Sequence, residues 1–197
     1  MKKKLPPSLD NARQYYGQRA ADVYEERRVQ KTKWKLEYEC LESMLQPMRG
    51  RVLDVPVGTG RFLQMYKDLR LEAVGVDYNL PMLELARTKY PDAVLEQGDI
   101  TKLQYADGAF DTVVCVRLLH LVTSREVPQI LGELLRVARQ DVIVTIHLGD
   151  AAYSRGRSQV HVRNVLDCVQ SPWVMSKCEL IMNEKGMPYY MIHFRRQ

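Results

Sequence analysis

Residues 51–62, Arg51-Val52-Leu53-Asp54-Val55-Pro56-Val57-Gly58-Thr59-Gly60-Arg61-Phe62, constrain the fold more than any other stretch of the chain. An apolar run without polar alternation reaches an acid, turns through two glycines and then resumes helical spacing. A strand that is apolar on both faces belongs in the middle of a parallel sheet. Ligands of open α/β sheets bind where such a strand ends and the next helix begins, and glycines there let a ligand approach the backbone closely. A glycine-rich turn alone does not separate one nucleotide ligand from another.

The rest of the sequence extends the pattern. A polar helical stretch is expected from about Asn11 to Arg28, then a helix carrying Trp34, Tyr38, Leu41 and Leu45 at spacings of 4, 3 and 4, closed by Pro47 and Gly50. Strands are expected at 51–56, 73–77, 93–96, 110–116 and 141–147, and helices at 60–69, 81–89 and 127–138. Thr123 and Glu126 match a capping box before the last of these. A helix over 160–169 follows. Residues 175–183 and 188–195 then flank Glu184-Lys185-Gly186, which reads as a hairpin turn. Alternating strands and helices predict a parallel sheet with helices on both faces, and the closing hairpin predicts an antiparallel strand near one edge.

Acids recur at the predicted strand ends. Asp54 lies in the first strand, near the place of a bound amino acid's ammonium. Asp77 closes the second, where a carboxylate can accept bonds from both hydroxyls of a ribose. Asp99 follows the third, in Gly98-Asp99-Ile100, where it suits the amino group of an adenine whose face Ile100 covers. Each acid alone is an ordinary turn residue; the three in register point to an adenosine bearing an amino-acid tail. A dinucleotide site would use G-x-G-x-x-G to cradle a pyrophosphate at a helix N-terminus. The run here, Pro56-Val57-Gly58-Thr59-Gly60-Arg61, lacks the third glycine, and Asp54 would sit badly beside phosphates. A nicotinamide oxidoreductase is therefore disfavoured.

The segment from Arg51 to Gly149 resembles the class I S-adenosylmethionine-dependent methyltransferases, especially the small-molecule, ubiquinone-biosynthesis-like group. RVLDVPVGTGRF resembles their first motif. VGVDYNLPMLELAR resembles the second, with Asp77, Tyr78 and the helix-start Met82. QGDITKLQYADGAFDTVVCVRLLHLV resembles the third and fourth. The resemblance implies a Rossmann-like α/β three-layer sandwich, with a seven-stranded sheet of order 3-2-1-4-5-7-6 and the seventh strand antiparallel. It implies S-adenosylmethionine as cofactor, held by Asp54, Pro56, Gly58, Gly60, Asp77, Tyr78, Met82, Gly98, Asp99, Ile100, Val116 and Arg117. It also implies one domain over 1–197: an N-terminal helical lid at 1–48, a cofactor core at 51–149, and a substrate-side loop, helix and hairpin at 150–197.

Two residues depart from the family pattern. Pro56 stands where glycine is usual and has no N–H to donate. Arg117 stands where relatives carry a neutral or acidic residue. A cation beside a sulfonium is repelled, so Arg117 is expected to point to the cofactor carboxylate or to an anionic acceptor. These departures keep open a reading of another class, a non-catalytic S-adenosylmethionine-binding regulator.

Methyl transfer from a sulfonium is an in-line displacement that depends mainly on positioning. A general base is needed only where the acceptor has a proton to lose; His147, His120 and Tyr16 are the candidates. Charge bears on the acceptor. Residues 1–35 hold ten Lys/Arg against four Asp/Glu, residues 151–197 seven against three, and the middle twelve against seventeen. If the basic flanks converge on the site, with Tyr24, Arg155, Arg157 and His161 facing the acceptor, a small anionic substrate follows. RNA or a nucleotide is the alternative, although neither the acidic/Asn-Pro-Pro-aromatic motif of amino-methylating enzymes nor a Pro-Cys nucleophile is present. The four histidines and four cysteines show no ligand spacing, so no metal is expected. No apolar run reaches membrane-spanning length. Unpaired cysteine spacing and the lack of a signal-peptide pattern point to a reduced, cytoplasmic setting, and a monomer or homodimer is expected.

Overall fold

The structure is a computed structural model that describes residues 8–15, 32–147, 160, 162–182 and 188–197. Seven strands form one sheet in the order β3-β2-β1-β4-β5-β7-β6. They are β1 (Arg51–Asp54), β2 (Glu72–Asp77), β3 (Val94–Gln97), β4 (Phe110–Cys115), β5 (Ala138–His147), β6 (Trp173–Met182) and β7 (Pro188–Arg196). The first five run parallel, and β7 runs antiparallel to both β5 and β6. This is the Rossmann-like order that the family resemblance implies.

The apolar central strands follow from burial on both faces. Along β4, Val113 and Cys115 belong to one core and Val114 to the other. Along β5, Val142 and Val144 belong to the first core and Ile143 to the second. Successive side chains of a strand point to opposite faces, so each alternate residue must be apolar on both counts. The first core is closed by α5 (Val127–Val137), which buries Val127, Ile130, Leu131, Leu134 and Val137 at helical spacing. The second is closed by α2 (Thr32–Leu45), which buries Leu41, Met44 and Leu45, and by α3 (Leu63–Asp68). The edge strand β3 is largely exposed. The remaining helices among the described residues are α1 (Leu9–Tyr15), α4 (Leu80–Lys89) and α6 (Val162–Leu166).

Several boundaries differ from the sequence expectations. The helix after the glycine turn begins at Leu63 rather than Gly60, because Gly58 and Gly60 take left-handed backbone angles of 58° and 80° and spend residues 55–62 in turns. The helix expected at 160–169 is only Val162–Leu166. The Thr123–Glu126 pair makes only half of the expected capping box: the Glu126 carboxylate takes the Thr123 N–H, but the Glu126 N–H goes to the Thr123 carbonyl rather than to its hydroxyl. Thr123 donates from both its N–H and its hydroxyl to the Glu126 carboxylate, and Glu126 itself is the N-cap residue of α5. The other oxygen of Glu126 accepts the backbone N–H of Leu9 at 2.9 Å, which ties α1 to α5. The helix expected to run to Arg28 is described only as Leu9–Tyr15, and the hairpin turn at 184–186 lies outside the described residues.

Candidate cofactor and acceptor site

A cleft opens at the carboxyl ends of β1, β2 and β4, where the strand order reverses. Val55 to Thr59 form its floor, Asp77 to Asn79 and Met82 one wall, Gly98 and Ile100 the adjoining end, and Val116 to Leu118 the opposite wall. Leu9, Ala12 and Arg13 of α1 close it from above.

Asp77 is built for a donor-rich ligand. It is 4% exposed, and its two oxygens accept the N–H groups of Gly58 and Asn79, each at 2.8 Å. Burial pushes its carboxyl up, and those bonds pull it back only in part. Oδ1 also accepts the Asn79 side-chain amide at 3.5 Å, and each carboxylate oxygen offers two lone pairs, so capacity for a hydroxyl lies chiefly at Oδ2. Gly58 has no neighbour within 4 Å of the position a Cβ would take, so the floor is open there. The exposed Tyr78 ring and the buried Ile100 both line the cleft, close in sequence to Asp77 and Asp99. These residues fit the ribose and adenine of an adenosine.

Asp99 carries the lower pKa of the pair. Burial pushes it up, but the bonds from Thr101 N–H and hydroxyl and the charge of Arg13 bring it below the usual carboxylate range. Its carboxylate is 2.5 Å from a guanidinium nitrogen of Arg13.

Asp54 lies elsewhere than the cleft surface. It is 1% exposed, beneath the floor and beside Tyr66, and burial pushes its carboxyl up to about 8. Gly60 is absent from the cleft lining and faces Leu63 and Tyr90. Pro56, Gly58, Asp77, Tyr78, Met82, Gly98, Ile100, Val116 and Arg117 do line the cleft. His120 is half-buried and does not. His147 ends β5 opposite Tyr189. Tyr16, Tyr24, Arg155, Arg157 and His161 lie outside the described residues.

One group was not foreseen. Glu37 of α2 is completely buried, in contact with the guanidinium of Arg61 and 3.5 Å from that of Arg117. Both arginines line the cleft. Arg117 reaches it through a left-handed backbone angle of 67°, with its N–H held by the Thr145 hydroxyl at 2.7 Å. That conformation costs a non-glycine residue about 1–2 kcal/mol, and such outliers concentrate at functional sites. Guanidinium groups stay protonated, so one carboxylate between two of them leaves positive charge facing the cleft. Glu37 stands on the buried stripe of its helix, three residues after Trp34 and four before Leu41. A lone acid at that position was the signal available in the sequence.

Residues 52–141 match the methyltransferase domain family. A demethylmenaquinone methyltransferase of Renibacterium salmoninarum is 39% identical over 89 residues, covering 45% of this chain and 37% of that protein. A phosphatidylethanolamine N-methyltransferase of Cereibacter sphaeroides is 37% identical over 106 residues, covering 50% and 51%. The chain thus spans between about a third and a half of the curated relatives it matches. The fold is similar to that of magnesium protoporphyrin IX methyltransferase from Synechocystis PCC 6803, solved with S-adenosylhomocysteine bound, with a TM-score of 0.81 at 14% identity over 94% of this chain and 98% of that one. Residues 52–141 thus carry a methyltransferase domain, on a sheet whose order 3-2-1-4-5-7-6 is that of the class I S-adenosylmethionine-dependent methyltransferase fold.

Proposed function

We propose that this protein transfers a methyl group from S-adenosylmethionine to a small anionic acceptor. The observation that carries the cofactor half is Asp77, buried at the tip of β2, fixed by two backbone N–H groups and still able to accept from a ribose. When bound, the cofactor supplies an electrophilic methyl group on a sulfonium. Asp77 orients the ribose, Tyr78 and Ile100 flank the adenine, and Asp99 accepts from its amino group. The open floor at Gly58 admits the tail. Val116, Leu118 and Leu121 wall the cleft with apolar surface and exclude water.

Arg61 and Arg117 support the anionic half. Two guanidiniums against one buried carboxylate favour a carboxylate or phosphate on the acceptor, and Glu37 holds them back from full repulsion with the sulfonium. A proton on the acceptor would leave to His147, His120 or Tyr16. Helices α1 and α2 are read as part of an N-terminal lid.

Calorimetric titration with S-adenosylmethionine and S-adenosylhomocysteine, with NAD as control, tests this reading on the wild type and on Asp77→Ala. Binding of the first two, lost in the variant and absent for NAD, establishes the cofactor and justifies a screen of anionic metabolites. Absence of binding to either sulfur compound would sink the reading.

A further inference from the structure

The adenine end of the cleft already has an occupant from the chain itself. The guanidinium of Arg13 lies 4.1 Å from the centre of the Tyr78 ring, over its face, and ion-pairs with Asp99 at 2.5 Å. An adenine and a guanidinium share the chemistry that matters here. Each is planar, each stacks on an aromatic face, and each donates N–H bonds to a carboxylate lying in its plane. Arg13 itself lines the cleft, together with Tyr78 and Ile100.

The helix that carries Arg13 is held in a way that permits it to leave. It has seven residues, among which Leu9 and Ala12 are buried, and its start is fixed by the bond from Leu9 N–H to Glu126. Its contact with Asp10 is an exposed ion pair at 3.3 Å. The Asp99 and Tyr78 contacts draw Arg13 into the cleft, helped by the charge of Glu126 nearby.

We propose that Arg13 is an intramolecular competitor for the adenine subsite, so that it sets the cofactor affinity and couples cofactor binding to displacement of α1. The proposal rests on the adenosine reading of the cleft. A site whose competent state is a fraction of the population binds with an affinity reduced by that fraction. Removal of the competitor therefore tightens binding.

The test is titration of S-adenosylhomocysteine into the wild type, Arg13→Ala and Arg13→Lys, with hydrogen exchange of the residue 9–15 amides before and after ligand. The expected result is a gain of roughly fivefold or more in affinity for Arg13→Ala, on the order expected when the competing state dominates. A smaller gain is expected for Arg13→Lys, which keeps the charge but loses the plane. Faster exchange across α1 is expected when the wild type is saturated. Equal or weaker binding by Arg13→Ala, with the wild type binding normally, overturns this proposal and leaves the cofactor reading standing. Slower exchange across α1 on saturation overturns it as well. Binding by none of the three proteins overturns both.

Discussion

The carboxylate of Glu37 has no exposed surface and lies 3.5 Å from the guanidinium of Arg117, at the end of the cleft opposite Asp99. The pair joins helix α2 to the loop after β4, and Arg61 joins the same carboxylate from the glycine turn. Three segments distant in sequence therefore meet on one buried acid. Loss of one partner from such a group leaves uncompensated charge, which costs about 3 kcal/mol or more. Glu37→Gln should lower Tm by roughly 6–12 °C, taking 2–4 °C per kcal/mol for a domain of this size. A double cycle with Arg117→Leu should show that the two losses do not add. A fall in Tm below about 2 °C would mean that the cluster is not coupled to the fold.

The two glycines of the turn should respond differently to a single methyl group. Both have positive φ, but a Cβ on Gly60 would come within 2.7 Å of Leu63 and 3.0 Å of Tyr90, whereas one on Gly58 meets nothing within 4 Å. Gly58→Ala should cost only the backbone penalty of about 1–2 kcal/mol while placing its methyl in the cleft. S-adenosylhomocysteine affinity should fall about tenfold or more, a change of at least about 1.4 kcal/mol. Gly60→Ala should lose more stability than Gly58→Ala by thermal melts. Unchanged affinity in Gly58→Ala would place the ligand away from the turn.

Asp54 gives the fold a dependence on alkaline pH. Its folded pKa, pushed up to about 8 by burial, stands above an unfolded value of about 3.9. Its contribution is therefore complete below about pH 4 and is lost as pH rises through 8. Asp54→Asn removes the ionisation, so its Tm should gain on the wild type steadily between pH 5 and pH 9. Parallel pH profiles for the two proteins would show that Asp54 is ionised in the fold throughout.

Asp141 acts in the opposite direction. Burial pushes its carboxyl up, but bonds from His193 at 2.6 Å and Arg195 at 2.8 Å, with their charges, bring it below the usual range. Its contribution is present above the unfolded pKa of about 3.9 and is lost as pH falls through the folded value. Asp141→Asn should cost about 2 kcal/mol at pH 7, the scale of hydrogen bonds to a charged group, and progressively less as the solution is acidified towards pH 3. A penalty that does not change with pH would assign the loss to packing rather than to charge.

The strands and their flanking helices were legible because they rest on local patterns: apolar runs in β1 and β4, the glycines after β1, and the helical stripe of α5; the order of the strands came only with the family resemblance. The acid at the tip of β2 was legible for the same reason, since its position within the strand fixes where it points. Contacts between distant segments were not. Nothing local to Arg13 shows that its guanidinium reaches Asp99, and the place of Glu37 on the apolar stripe of α2 does not show that Arg61 and Arg117 meet it. The same limit applies to Glu126. The spacing from Thr123 suggested a local cap, whereas one of its oxygens serves the far end of the chain at Leu9. Asp54 shows the converse: its sequence position near the turn was correct, but its side chain turns under the floor, where the apolar neighbours of β1 raise its pKa.

The placement of β7 between β5 and β6 bears on how the protein is made. Tyr189, Met191, Ile192 and Phe194 have no exposed surface, and β5 finds its second neighbour only through them. A ribosome releases the chain from its N-terminus, so all the described cleft residues emerge well before residues 188–196. Until those arrive, β5 presents an open hydrogen-bonding edge with apolar residues on both faces, the kind of surface that pairs with other chains. The nascent protein therefore passes through an interval in which its ligand site is spelled out but its sheet is unsealed, and a translation pause in that interval is where chaperone capture or aggregation should concentrate.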